Sequence, residues 1–256
     1  MLDSSPVVTA INEPSIGRHL APFTCEIPGS AAPDFDPGNC TLNRMAADGE
    51  SYFFSEPHSD TWVGPLGSMI CERLATRKEF KVIAIQEPNG SQAADIIMRS
   101  IPEARFLFLL RDGRDVVDSE CAAYAEGGWM TKRYPMRGIH ADERRAFLEE
   151  SAYKWVWRTT IVSEAFERHP GPKLMVRYEA LRERPQDEMT RVFEWAGIDA
   201  DVGAIVEQHS FDRAAVRGPN EFVRAASPGG WRENLTADEQ GMIQKIMQPT
   251  LDRFGY

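Results

Sequence analysis

The chain has 256 residues, of which 42% are hydrophobic and 27% charged, values typical of a globular protein that can bury a sizeable core. Its formal charge of −10 argues against general nucleic-acid binding, because neutralising a phosphate backbone requires a basic face. No apolar run approaches the roughly 20 residues of a membrane span, and no basic stretch precedes an apolar core at the N-terminus. We therefore expect a cytoplasmic protein that has no membrane span and binds no nucleic acid.

Strand-like and helix-like segments alternate along the chain. Residues 1–6 read as the end of a helix, a strand follows at 7–11, and residues 21–61 form an irregular insertion of the kind that serves as a lid or binding loop. Further helices are predicted over 66–77, 91–100 and 142–168, and further strands over 81–86, 106–110 and 173–178. This alternation predicts a single domain over 1–256 with a parallel sheet and right-handed crossovers.

The four cysteines are spaced neither as metal ligands nor as a redox pair. We expect them to be reduced and inert, and we predict no metal site. They are Cys25, Cys40, Cys71 and Cys121.

The most informative segment is ARFLFLLRDGRDVVDS at 104–119. Its first half is apolar on both faces, as expected for a strand covered on both sides. Arg111 follows at the carboxyl end of that strand, where open α/β sheets place their ligands, and Asp112 or Asp115 can cap the next helix. Ser119 lies eight residues after Arg111, so the helix would return its hydroxyl towards the same edge.

An arginine and a serine at one strand end suit a phosphate group. The guanidinium offers a planar fork of donors, and the hydroxyl adds one more. The competing interpretation is that Arg111 and Arg114 simply pair with Asp112 and Asp115. The motif alone leaves both interpretations open.

Three further segments follow this motif. They are KLMVRYEAL at 173–181 with FEWAGI at 193–198, HSF at 209–211, and RAASPGGWRENLT at 224–236 before a helix that runs to a terminal Gly-Tyr. In this order the four motifs resemble the sulfotransferases that use 3′-phosphoadenosine 5′-phosphosulfate, and the resemblance covers about residues 5 to 256. By this resemblance Trp231 is expected to anchor the last loop by packing.

The resemblance implies an α/β fold with a P-loop-NTPase-like parallel sheet flanked by helices. Such folds begin with a strand, a Ser-Gly-Thr-containing loop and a helix whose amides hold the 5′-phosphosulfate. We find no such loop in the sequence, so we expect the first strand and the loop, roughly 20 to 25 residues, to be missing before Met1. Either a start at an internal methionine or a paralogue that has lost the loop would explain this.

The resemblance also assigns residues to the donor, 3′-phosphoadenosine 5′-phosphosulfate, and implies no metal. Arg111, Ser119 and Arg224 would clamp its 3′-phosphate. Members of the family commonly carry Lys-Gly after the last arginine, whereas Ala225 and Ala226 stand here, which removes one cation. The remaining contacts to the nucleotide are assigned to Tyr178, Ser210, Phe211 and Gly229.

Sulfonyl transfer to a hydroxyl or amine requires a base for the acceptor, and three side chains are candidates. Glu13 is the first choice, because it follows the strand at 7–11 directly and resembles the carboxylate of carbohydrate-type and bacterial members. Glu87, in IQEPNGS, follows the next strand. His19, a loop histidine six residues beyond Glu13, is the third candidate.

The predicted function is sulfonyl transfer by in-line displacement to a small-molecule, carbohydrate or lipid acceptor. The alternative is a catalytically inactive nucleotide-binding or interaction paralogue. A kinase-like phosphotransferase would need a Walker-type lysine and a magnesium ligand, and neither is visible. The sequence specifies neither the acceptor nor the oligomeric state.

Overall fold

The structure is a computed structural model that describes most of the chain. Predicted site residues outside the described part are Glu13, His19, Ser210, Phe211 and Arg224, and most of the predicted insertion at 21–61 is outside it too. The described residues are 1–5, 7–12, 14, 16, 58–76, 82–134, 138–209 and 228–256.

The chain divides into two compact units. The first unit contains the described residues within 1–109 and 158–207, and the second contains those within 110–157 and 208–256. This division does not test the prediction of a single domain over 1–256, which stays a prediction.

Strands and helices alternate along the described chain, as predicted. A 3-10 helix (Leu2–Ser4) precedes the first strand, and another (Pro88–Ala93) leads into α2. The strands are β1 (Val8–Asn12), β2 (Val82–Gln86), β3 (Phe106–Leu110) and β4 (Lys173–Arg177). The helices are α1 (Ser59–Ala75), α2 (Ala94–Ser100), α3 (Gly113–Tyr124), α4 (Trp129–Arg133), α5 (Arg144–Arg168), α6 (Tyr178–Glu183), α7 (Pro185–Ala196), α8 (Val202–Gln208), α9 (Trp231–Asn234) and α10 (Ala237–Phe254).

Helix α1 begins at Ser59, earlier than the predicted start at residue 66. Proline is common in the first turn of a helix, so Pro65 favours a start beside it. In the structure Pro65 lies inside α1, and Trp62, one turn from the helix start, is buried against Ala93 and Ile96. The apolar contact of Trp62 therefore extends the helix beyond the point that the local pattern indicates.

The strands form two pairs. β1 and β2 are parallel, with a register that runs from Val8 opposite Val82 to Asn12 opposite Gln86. β3 and β4 form the second pair, and the backbone N–H of Phe106 donates to the carbonyl of Pro172 at 3.0 Å. The described chain is therefore a mixed α/β fold with parallel strands.

The main core cluster of the first unit joins strands β1 and β4 to helix α7. The helix ends at Gly197, which has a left-handed φ of 69° and donates its N–H to the carbonyl of Glu194. This turn confirms the predicted helix end and returns Ile198 to the apolar cluster. The buried members of the cluster are Val8, Val176, Met189, Val192, Phe193, Ile198 and Ile205.

Strand β3 differs from the prediction that both of its faces are covered. Phe106 and Phe108 are half-buried, whereas Leu107 and Leu109 are 38% and 50% exposed. Side chains alternate along a strand, so one face is packed and the other is left uncovered by the described residues. A continuous apolar run shows only that both faces are apolar, and it does not fix how many elements cover them.

The core of the second unit includes helix α10. Thr236 and Glu239 form a capping box at its start, and Ile243, Met247 and Leu251 are fully buried further along it. Glu239 accepts a hydrogen bond from Nε of Arg144 at 2.7 Å, and this bond lowers the pKa of its carboxyl. The first turn of α10 is thereby tied to the first turn of α5.

Candidate functional site

Arg111 and Asp112 connect β3 to α3, and Gly113 to Asp115 form the first turn of that helix. Leu110, the last residue of the strand, is 2% exposed, and Arg111 is half-buried directly after it. Asp112 is the N-cap residue of α3, and its Oδ1 accepts the backbone N–H of Arg114 at 2.9 Å. Of the two aspartates that the sequence offered as caps, Asp112 is therefore the one used.

The side chain of Arg114 is buried within the second unit. Its Nη2 lies 2.8 Å from Oδ2 of Asp112, and its Nη1 donates to Oε1 of Gln244 at 2.8 Å. Its Cζ lies 4.5 Å from the centroid of the Trp231 ring. The competing interpretation of the motif, a local pairing of arginine with aspartate, is therefore right for Arg114.

Asp115 has a different role from the pairing that the sequence suggested. This residue is 2% exposed, and its Oδ2 accepts the backbone N–H of Gly229 at 2.7 Å. Its Oδ1 accepts the backbone N–H of Trp231 at 3.3 Å. One buried carboxylate thus joins the first turn of α3 to the Gly-Gly-Trp loop.

The conformation of the Gly-Gly-Trp loop, at residues 229–231, allows its contact with Asp115. Gly229 has a φ of 87°, a conformation that favours glycine. A Cβ at this position would also lie 2.6 Å from Nη1 of Arg232. Trp231 is 7% exposed. The guanidinium groups of Arg114 and Arg232 each lie 4.5 Å from the centroid of its ring. The expectation that Trp231 anchors the loop by packing is confirmed.

The remaining described site residues are divided between the two units. Ser119 is exposed on α3, in the same unit as Arg111 and Gly229. Tyr178 begins α6 directly after β4 and is half-buried, and it belongs to the first unit together with Glu87. The structure thus brings α3, which follows Arg111 and carries Ser119, to the Gly229 loop. The nucleotide and catalytic roles of all these residues stay predictions.

Glu87 directly follows β2, where the parallel pair ends. Its Oε2 accepts the backbone N–H of Ile16 at 2.9 Å. Its Oε1 is buried and has no hydrogen-bond partner among the described residues. The register pairs Asn12 with Gln86, and the two candidate bases, Glu13 and Glu87, are the next residues in the sequence.

The clamp that Asp115 forms was not predicted from the sequence. The only sequence signal was a second aspartate in the first turn of a helix, which is a common helix-capping feature. Its partners lie 114 and 116 residues away in the chain, so no local pattern connects them.

The described residues show neither a metal-binding cluster nor a membrane-spanning helix. No group of three or more histidine, cysteine, aspartate or glutamate side chains could hold a metal ion within this part of the chain. None of the helices described is long and apolar enough to cross a membrane. Of the cysteines, Cys71 and Cys121 are described, and neither forms a disulfide bond with a described residue. Cys71 is exposed and Cys121 is buried.

Known proteins and family models resemble this chain to different degrees. A search of curated proteins gives no match. Among solved structures, the chain is similar to the sulfotransferase STF9 from Mycobacterium avium, with 19% identity and a TM-score of 0.44 over 68% of this chain. The chain spans 42% of the length of that protein. The model of the sulfotransferase family matches residues 38–201, which is more than half of the chain. The protein therefore belongs to the sulfotransferase family.

Proposed function

We propose that the protein transfers a sulfonyl group from 3′-phosphoadenosine 5′-phosphosulfate to a hydroxyl or amine by in-line displacement. The observation that carries the proposal is the clamp of Asp115 on the amides of Gly229 and Trp231. It joins two segments that resemble nucleotide-binding motifs of the family. We further propose a P-loop-NTPase-like sheet, a small-molecule, carbohydrate or lipid acceptor, and a cytoplasmic location.

The phosphate ligands proposed near the end of β3 are side chains and not backbone N–H groups. The backbone N–H of Arg114, at the start of α3, already donates to Asp112. This helix end therefore has fewer free N–H groups for a bound anion than an uncapped helix end would have. Arg111, Ser119 and Arg224 are therefore the proposed ligands of the 3′-phosphate, since guanidinium forks bind such oxygens in pairs. Ser119 is exposed, which leaves its hydroxyl accessible to a ligand.

The adenosine part of the donor is assigned to aromatic and small residues. Phe211 would stack on the adenine, with Tyr178 at the ring edge. Ser210 adds a hydroxyl donor, and the backbone turn at Gly229 allows a close approach of the chain. No metal is assigned to the reaction.

When bound, the donor supplies the sulfonyl group, and the chain orients the two reactants. The acceptor oxygen or nitrogen forms a bond to sulfur while the bond from sulfur to the phosphate oxygen breaks, and the nucleotide leaves as 3′-phosphoadenosine 5′-phosphate. The acceptor proton passes to a carboxylate, for which Glu13 is the first choice and Glu87 or His19 the alternatives. Oε1 of Glu87, which has no hydrogen-bond partner among the described residues, supports the place of Glu87 among these candidates.

Replacing Arg111 with alanine is expected to weaken nucleotide binding. Charge-assisted hydrogen bonds contribute about 1.5–3 kcal/mol each, so the affinity should fall about 10- to 100-fold. The measurement is a calorimetric titration with 3′-phosphoadenosine 5′-phosphate. The control is Arg145→Ala, because Arg145 is an exposed arginine in the same unit, and it should leave the affinity unchanged. Equal affinities for Arg111→Ala and the unmodified protein would contradict the assignment of Arg111.

Replacing Glu13 with glutamine is expected to spare nucleotide binding and abolish transfer. Loss of a general base typically slows the reaction about 10²- to 10⁴-fold. The assay follows radiolabelled sulfonyl transfer to a phenol, a sugar and a primary amine, with Glu87→Gln measured beside it. Full turnover in Glu13→Gln with loss in Glu87→Gln would move the base to Glu87, and full turnover in both would leave His19.

The alternative function, a nucleotide-binding paralogue without activity, is favoured by one feature of the sequence. Ala225 and Ala226 stand where the family commonly has Lys-Gly, so one cation near the donor is absent. Tight binding of 3′-phosphoadenosine 5′-phosphate without transfer to any acceptor would support this alternative.

A further inference from the structure

A cavity of about 450 Å³ opens in the first unit, and its lining contains no residue of the motifs described so far. It is lined by the start of α1, by α2 and by the chain that ends α5. Pro102 and Pro170, in its lining, precede β3 and β4, whereas Arg111 follows β3. In open α/β sheets the main ligand site lies at the carboxyl ends of the strands. This cavity lies at their amino ends and is therefore a separate feature.

Asp95 contributes a buried carboxylate to this cavity. The residue is 9% exposed, and its Oδ1 has no hydrogen-bond partner among the described residues. The backbone N–H groups of Asp95 and Ile96 donate to the carboxyl, but burial outweighs them and raises its pKa. A buried carboxylate oxygen without a partner is costly, and a ligand donor would offset that cost.

His169 contributes a second buried acceptor. The residue is 4% exposed, and its Nε2 lies 3.1 Å from the carbonyl oxygen of Ala104. A carbonyl only accepts, so in the neutral ring the proton is on Nε2 and Nδ1 is an acceptor. Nδ1 has no hydrogen-bond partner in the described part of the chain. The edge-on packing of the ring against Phe106, at 4.7 Å between centroids, keeps it in place.

The other charged residues of the lining are exposed. Arg99 and Arg168 are both close enough to Asp95 to lower its pKa by charge. Arg168 lies 3.9 Å from Glu164 of its own helix, and an exposed pair of this kind costs little to loosen. Asp60, at the start of α1, adds one negative charge.

Apolar side chains form the wall between these groups. Val63, Met98 and Ala165 belong to the lining together with the two prolines. A cavity that is mostly apolar, with a few placed polar groups, has the character of a small-molecule site, and its volume lies within the range of about 300–1,000 Å³ for such sites.

We propose that this cavity binds a small zwitterionic amine. Its primary ammonium, with three N–H donors, would be held by Asp95 and His169, and its anionic group would be held by Arg99 and Arg168. A short aliphatic chain between the two groups would contact Val63 and Met98. The site is independent of sulfonyl transfer, because none of its residues belongs to the proposed donor site.

The probe is 6-aminohexanoate, titrated by calorimetry into the full chain at pH 7.5, with hexylamine as the analogue without the carboxylate. We expect 6-aminohexanoate to bind at least tenfold more tightly than hexylamine. Asp95→Asn should weaken its binding at least tenfold, because a neutral amide replaces the charged acceptor. Asp187→Asn is the control, since Asp187 is an exposed first-turn aspartate of α7 in the same unit.

Arg99→Gln gives a second readout on an exposed side chain whose loss should not disturb folding. This substitution should weaken the binding of 6-aminohexanoate and leave the binding of hexylamine unchanged. The proposal is overturned if neither probe binds, if both bind equally, or if Asp95→Asn binds 6-aminohexanoate as tightly as the unmodified protein.

Discussion

Replacing Arg114 with methionine is expected to lower the free energy of unfolding by about 3–5 kcal/mol. Arg114 and Asp112 form an ion pair at 2.8 Å, and each side chain is only 10% exposed. The substitution leaves the carboxylate of Asp112 buried without this cation and removes the hydrogen bond that Arg114 donates to Oε1 of Gln244. Proteins of this kind are stable by about 5–15 kcal/mol, so the loss should be obvious in urea unfolding.

The control for this prediction is Arg232→Met. Arg232 lies at the same 4.5 Å from the Trp231 ring as Arg114 does, but it is exposed, whereas Arg114 is paired with the buried carboxylate of Asp112. Its loss should cost only about 0.5–1 kcal/mol, the value of an exposed cation–π contact. Adding Asp112→Asn to Arg114→Met should recover part of the stability, because asparagine still caps the helix and carries no charge. Equal losses for the two arginine variants would contradict the importance of the buried pair.

Replacing Asp115 with alanine is expected to destabilise the protein by about 3 kcal/mol and to weaken nucleotide binding. The substitution leaves the amides of Gly229 and Trp231 without their acceptor, and the Trp231 amide is buried. Arg224 stands five residues before Gly229 in the sequence, so we expect release of the loop from α3 to weaken the proposed contact of Arg224 with the nucleotide as well. Urea unfolding and titration with 3′-phosphoadenosine 5′-phosphate measure the two effects separately.

Asp118→Ala is the matched control for Asp115→Ala. Asp118 is on the same helix, and its Oδ2 accepts a hydrogen bond from Nδ2 of Asn234 at 2.8 Å in an exposed position. Water replaces such a bond easily, so the loss should stay within about 0.5 kcal/mol. If both alanine variants lost the same stability, the clamp would be no more than a surface contact.

The fold was largely predictable from the sequence because its signals are local. The apolar run at 106–110 and the mixed run at 173–178 predicted β3 and β4 with their observed starts, although Tyr178 begins α6 instead of ending β4. FEWAGI predicted the end of α7 at a left-handed glycine. The start of α1 was not predictable, because the contact of Trp62 with Ile96 outweighs the local signal of Pro65. The exposed face of β3 was not predictable either, because apolar character does not report what covers it.

The candidate site was predictable only in its local part. The position of Arg111 and the cap at Asp112 follow from a strand end and a helix start, which the sequence marks clearly. Asp112 caps the helix, whereas Asp115 binds the loop. The role of Asp115 was not predictable, because its partners Gly229 and Trp231 come from the last part of the chain. The burial of Arg114 against Trp231 is likewise a long-range contact, which the spacing of the residues does not contain.

The contact between Asp115 and Gly229 also sets an order of events during synthesis. The two residues are 114 positions apart, and ribosomes add about 5–20 residues per second, so α3 is made several seconds before its partner exists. Closing so long a loop carries an entropic cost that a short one avoids, and contacts of high sequence separation slow folding. The link between the two motifs is therefore among the last features to form, and a nascent chain that stops before residue 229 cannot make it.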